Sequence, residues 1–296
     1  MPNQVSKSNK TNIVRSEQFQ KLPWLVHGFS TRTGGFSRIY GKNALNLGFT
    51  KDDSKAAVER NRTAFVNQLL STGKTIRKSQ ALPLITLRQI HSDIINAVDS
   101  PPESTLAGDG IITSTPNLLL SIQTADCLPI ILVDPKNRAV GVFHAGWRGT
   151  LKRIVEKGVG DMHRHFGSRA RDVKAAIGPG IHGCCYDVGK EVREKFESQF
   201  AYAAKLFREV EEFDEVREKY PMLFLTARAP GHSELPKKIF LDLVEANRQQ
   251  LLSVGVPAKN IEASDLCTNC RTDLLFSYRA EKGKTGRMMA VAGIKA

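Results

Sequence analysis

Residues 118–149 read LLLSIQTADCLPIILVDPKNRAVGVFHAGWRG, and their reading decides the fold. Residues 118–122, 128–133 and 139–143 are short, nearly unbroken apolar runs rich in Leu, Ile and Val. Runs of that length and composition belong to strands buried on both faces. Similar patterning at 84–90, 173–177 and 286–293 adds further strands. Two segments read as amphipathic helices. In residues 54–70, Val58, Phe65 and Leu69 share a face; from Arg148 onward, Leu151, Ile154, Val155, Val159, Met162 and Phe166 recur at helical spacing until Gly167. Together these predict a single α+β domain, with a mixed β-sheet core or sandwich and helices packed outside.

The seams between those strands carry polar chemistry. Cys127 lies between two of them, His144 follows a third, and His91 follows the strand at 84–90. Strand ends hold side chains more firmly than loops do, which a metal site requires. Pro129 cannot donate to a ladder, so an irregularity near Cys127 is expected, one that lets ligands converge. Two imidazoles and a thiolate suit zinc, and three protein ligands leave a fourth position for water or substrate. Spacing alone favours the plainer reading, a buried thiol and two hydrogen-bonded histidines. The helix expected from Arg148 would start beside these residues, offering backbone amides, a positive dipole end and the Arg148 guanidinium to an anion. Arg62 falls inside the apolar stripe of its helix, where it either pairs with a buried carboxylate or serves as an anion clamp.

Several motifs occur in order: Ser30-Thr31-Arg32-Thr33-Gly34-Gly35, Leu45-Asn46-Leu47-Gly48, Asn61-Arg62, Gln89-Ile90-His91, Gly108-Asp109-Gly110, Thr124-Ala125-Asp126-Cys127-Leu128-Pro129 and His144-Ala145-Gly146-Trp147-Arg148-Gly149. Further along come Ile177-Gly178-Pro179-Gly180-Ile181, Cys185-Tyr186-Asp187-Val188, Cys267-Thr268, Phe276-Ser277-Tyr278-Arg279 and Thr285-Gly286-Arg287. Over roughly residues 24–294 the chain resembles the laccase-domain family, also labelled multicopper polyphenol oxidase. The resemblance implies a zinc-dependent purine nucleoside phosphorylase that also deaminates adenosine and cleaves methylthioadenosine. It places the Zn2+ ligands on His91, Cys127 and His144, the expected catalytic residues. Asp126 adjoins Cys127 and, with the strand broken at Pro129, is expected to act as a proton carrier. The resemblance raises Arg32 and Asn46 to substrate or phosphate contacts beside Arg62 and Arg148, with Gly34-Gly35 permitting close approach of backbone to ligand. Purine nucleosides and phosphate are the implied partners.

Two other chemistries stay open. A copper-dependent phenol oxidoreductase would use Cu2+, but seven histidines with one close pair, His163-x-His165, fit a multicopper centre poorly. A metal-free cysteine hydrolase would use Cys127 as nucleophile with His91 or His144 as base.

Composition sets the frame. The 296 residues are 41% hydrophobic, enough for a sizeable core. No apolar run reaches the ~18 residues that span a bilayer, and the first residues lack the apolar centre of a signal peptide, so a cytoplasmic protein with no membrane partner is expected. The net charge of +13 is scattered, with no long basic run interleaved with aromatics. That pattern argues against nucleic acid and for steering of anionic small molecules. Residues 1–20 read as a loosely attached polar tail, residues 21–296 as the catalytic domain, and about 198–238 as a charged insertion with Glu209, Glu211, Glu212, Asp214 and Glu215. Five cysteines, one assigned to metal, argue against a disulfide framework. Cys267-x-x-Cys270 resembles half of a zinc or redox pair, while Cys184 and Cys185 read as packing residues. His163 and His165 read as solvated, and His27, His182 and His232 as surface or hydrogen-bonded groups.

Overall fold

The structure, a computed structural model, describes residues 12–71, 82–211 and 237–296. The chain forms two compact units, one of Met1–His182 with Leu243–Ala296, the other of Gly183–Asp242. In the first unit, one sheet has the strand order Ile13–Val14, Leu25–Ser30, Met288–Ile294, Leu119–Thr124, Leu84–Thr86. The other has the order Ile261–Ala263, Lys174–Ile177, Leu128–Asp134, Ala139–Ala145, Gly110–Thr113, Ile95–Ala97. Both sheets mix parallel and antiparallel pairs.

The two sheets form a sandwich because their inner faces are apolar. Phe29, Leu120, Ile122 and Ala292 of the first pack with Ile111, Ile131, Val140 and Val142 of the second. Strands 119–124, 128–134 and 139–145 are buried almost throughout, which is why they are predominantly apolar. Lys55–Leu70 covers the outer face of the first sheet, with Phe65 and Leu69 against Val26, Leu119 and Val291. Its start is capped by Ser54, whose hydroxyl accepts from the Ala57 N–H at 3.1 Å. Ile154–Phe166 lies on the second sheet, where a Cβ at Gly158 would strike the Phe143 ring at 2.6 Å.

The mixed α+β architecture expected from sequence is the one adopted, with three local corrections. The strand at 84–90 is shorter, Leu84–Thr86 followed by an isolated bridge at Arg88. The continuous helix from Arg148 is instead two, Trp147–Leu151 and Ile154–Phe166, with Arg153 left-handed at φ 63° between them. The Thr150 carbonyl accepts from the Gln250 side chain at 2.7 Å and its hydroxyl from Asn247 at 2.9 Å, so the first helix is turned aside by partners a hundred residues away. The described part of the expected tail, residues 12–20, is packed against the domain instead. Ile13 and Val14 pair with the strand 25–30, Phe19 is fully buried, and the Glu262 carboxylate takes the Ser16 hydroxyl and the N–H groups of Glu17 and Gln18.

The second unit takes in the expected charged insertion and is wider than it. Its three-stranded sheet runs Asp187–Val188, Lys237–Leu241, Phe207–Glu211, with Lys190–Glu197 as a helix. Val192, Phe196, Phe200, Leu206, Ile239 and Leu241 are buried there. Arg193 pairs with Glu197 and Glu209, so part of the acidic cluster has partners. Glu212, Asp214, Glu215 and His232 lie outside the described residues.

Candidate metal centre

The ladder between Leu128–Asp134 and Ala139–Ala145 sets Pro129 opposite His144. Cys127, one residue before the first strand, is thereby brought to the end of the second. The irregularity expected near Pro129 falls just before it, at Asp126, where φ is 89°. His91 arrives on a separate turn and is also left-handed, at φ 56°. One donor atom each from His91, Cys127 and His144 lies within 4.8 Å of the others. Zinc bonds of about 2.0–2.3 Å in a tetrahedron put donors roughly 3.4–3.8 Å apart, so the three fit one ion. His91 is exposed, Cys127 half-buried and His144 buried, so the site opens on one side.

Asp109 holds this arrangement together and was not singled out from sequence, although Gly108-Asp109-Gly110 is among the family-like motifs. Its Oδ1 lies 2.8 Å from Nδ1 of His144 and accepts the His91 N–H at 3.1 Å. Its Oδ2 accepts from the Ser92 N–H at 2.6 Å, the Ser92 hydroxyl at 2.7 Å and the Ile90 N–H at 3.2 Å. The Asp109 carbonyl also accepts the His144 N–H at 2.7 Å. One fully buried carboxylate thus anchors two ligand segments and leaves Nε2 of His144 as the free donor. Burial pushes the Asp109 carboxyl up, but hydrogen bonds from His144 and Ser92 outweigh it and hold it well below the usual range.

Electrostatics favour a metal-ready pair. Burial would raise the Cys127 thiol, but the charge and hydrogen bonding of His144 and the nearby His91 pull it below its ordinary value. Burial would lower His144, and the Cys127 sulfur with Asp109 carries it up instead. Both shifts favour a deprotonated sulfur beside the imidazole, the form of the thiol that binds a cation. A Cβ at Gly146 would lie 2.9 Å from Cys127 Sγ, so glycine here leaves the sulfur its place.

The remaining predicted residues part company. Asp126, expected as a proton carrier, has its carboxylate engaged by the Thr268 hydroxyl at 2.6 Å, the Ser277 hydroxyl at 2.7 Å and the Arg279 N–H at 2.6 Å. These three bonds fix the chain just before Cys127. Arg32, expected on substrate, donates to the carbonyls of Thr272 and Tyr40 and to Glu281, and its guanidinium lies over Phe276. Asn46 is fully buried and satisfied by Gly48, Asp53 and Arg287. Both are internal ties rather than exposed contacts. The close approach at Gly35 is likewise to the backbone of Ala44 and Leu45.

Arg62 and Arg148 keep open donors. Arg62 uses Nε on the Leu47 carbonyl at 2.8 Å and stacks over exposed Phe49, while its Nη groups make no hydrogen bond among the described residues. Burial pulls its pKa below the guanidinium norm, so an anion there is rewarded. The carboxylate partner considered from sequence is not what holds it. Arg148 is exposed and stacks on Trp147, but its helix spans only Trp147–Leu151. His163 Nδ1 donates to the Ser168 carbonyl at 3.0 Å, whereas His27 is 2% exposed with neither ring nitrogen hydrogen-bonded among the described residues. That corrects its expected surface or hydrogen-bonded setting.

The sandwich and its His2Cys cluster define an α+β protein with a candidate metal centre. The chain belongs to the multi-copper polyphenol oxidoreductase laccase family, whose model matches residues 26–295. It is 31% identical to purine nucleoside phosphorylase YlmD of Bacillus subtilis over 280 residues, 92% of this chain and 89% of that protein. It is 33% identical to adenosine deaminase RL5, from an unknown prokaryotic organism, over 69% of this chain and 72% of that protein. The crystal structure of Bacillus licheniformis hypothetical protein YfiH superposes with a TM-score of 0.78 at 31% identity, covering 98% of each chain. No helix among the described residues is long and apolar enough to cross a membrane.

Proposed function

We propose that this protein is a zinc-dependent purine nucleoside phosphorylase that also deaminates adenosine. The observation that carries the reading is the meeting of His91, Cys127 and His144 within 4.8 Å, with Asp109 fixing the His144 tautomer. The names of the relatives supply the substrate class. A bound Zn2+ contributes Lewis acidity and activates water near neutral pH.

The chain's own groups do the rest. Asp109 orients His144 and the His91 turn, Gly146 keeps the ligand side clear, and exposed His91 leaves the site accessible. Arg62 and Arg148 are the phosphate-binding groups, since each stacks one guanidinium face on an aromatic ring and keeps its Nη donors open. In phosphorolysis, a phosphate oxygen bonds to ribose C1′ while the C–N bond to the purine breaks and the base leaves with a proton. In deamination, water adds at the amine-bearing purine carbon and ammonia departs. The scattered positive charge steers both anions and nucleotides towards the protein.

The copper reading has less support. Among the described residues, no second group of three or more clustered metal-capable donors contains a histidine. The cysteine-hydrolase reading draws on the Cys127–His144 pairing and is separated from the zinc reading by chelation. The deciding experiment combines metal analysis with release of hypoxanthine or adenine from nucleosides, with and without phosphate. Phosphate-dependent release by zinc-containing protein supports the proposal; release that ignores both phosphate and metal refutes it.

A further inference from the structure

We propose that Cys267 and Cys270 supply two thiolates to a second metal site, one suited to zinc or another thiophilic divalent ion and separate from the His2Cys cluster. C-x2-C is the spacing by which structural zinc sites draw two ligands from one turn. Here the turn is formed: the Arg271 N–H donates to the Cys267 carbonyl at 3.0 Å, and the two Sγ atoms lie within 4.8 Å of each other. Two sulfurs on one zinc at about 2.3 Å stand roughly 3.8 Å apart, so a small side-chain adjustment suffices. Neither thiol is in a disulfide. Cys267 is 4% exposed while Cys270 is exposed, so an ion can enter from solvent and be held at its inner side by a buried donor. The turn is also rigidly seated. Cys267 bridges to Gly180, the Thr268 N–H donates to the Gly180 carbonyl at 3.0 Å, and the Thr268 hydroxyl reaches Asp126 at 2.6 Å. Such preorganisation favours ligation, and it ties this turn to the residue that precedes Cys127.

The test is zinc content of the full chain after saturation and desalting. Two ions per chain are expected in the wild type, one in the C267S/C270S variant and one in C127S. A wild type with one ion, lost in C127S and kept in C267S/C270S, overturns the second site and leaves the first standing. One ion lost only in C267S/C270S does the reverse, refuting the His2Cys centre. Should the double variant fail to fold, alkylation of Cys270 in the wild type decides: labelling at least tenfold slower with Zn2+ than after chelator treatment is expected. Equal labelling, or a Cys267–Cys270 disulfide in the zinc-saturated protein, overturns the inference.

Discussion

Asp109 Oδ1 sits 2.8 Å from His144 Nδ1, and the same oxygen accepts the backbone N–H of His91 at 3.1 Å. Two ligands from distant parts of the chain therefore take their positions from one carboxylate. Asp109→Asn keeps the shape but removes the charge and puts a donor where an acceptor is needed. Metal affinity is expected to fall about 10–100-fold, the usual effect of losing such an outer partner. Competition with a chromophoric chelator measures it, and unchanged affinity would remove Asp109 from the site.

Gly146→Ala tests the steric side of the same arrangement. The new methyl would meet Cys127 Sγ at 2.9 Å, which forces the sulfur to shift. Zinc content and activity are expected to drop at least tenfold while the far-ultraviolet circular dichroism stays unchanged. Normal zinc content would show that the ligands have slack.

Arg62→Ala removes a charged donor from the proposed phosphate contact. Hydrogen bonds to charged groups contribute about 1.5–3 kcal/mol, so kcat/KM for phosphate should fall roughly 10–100-fold. Adenosine deamination, which uses no phosphate, should change little. Equal loss in both reactions would mean that Arg62 acts through the fold.

His27 predicts an acid limb in stability. Burial and then the Arg15 charge push its pKa from 6.5 to about 4, against the opposing pull of the Ser16 backbone and Glu262. Between those values the unfolded chain binds more protons than the folded one. The contribution is therefore full above about pH 6.5 and lost as pH falls towards 4. Its size is on the order of a few kcal/mol. His27→Phe, which can keep the edge contact with Phe19, should flatten that limb in denaturant titrations. An unaltered acid limb would assign it to other groups.

Much of this was readable from residues alone, for local reasons. Strands 119–124, 128–134 and 139–145 are buried almost throughout, so their sequences are predominantly apolar. His144 and Cys127 stand at the ends of such runs, where polar residues are conspicuous. What was missed depends on distant partners. The helix break at Arg153 follows from Asn247 and Gln250, and nothing near residue 150 announces it. Arg32 and Asn46 look like ligand contacts beside glycines, yet Glu281 and Arg287, some 240 positions on, make them internal ties. Asp109 carries no local mark beyond its two glycines, because its role consists of hydrogen bonds to residues 90, 91, 92 and 144.

The central claim is that His91, Cys127 and His144 share one ion on which nucleoside chemistry depends. Inosine phosphorolysis should be followed in chelator-stripped protein of verified zinc content, then again after Zn2+ is restored. Activity that vanishes with the metal and returns with it is the predicted result. Full turnover by stripped protein, abolished only by blocking the Cys127 thiol, would contradict the account and hand the site to thiol chemistry.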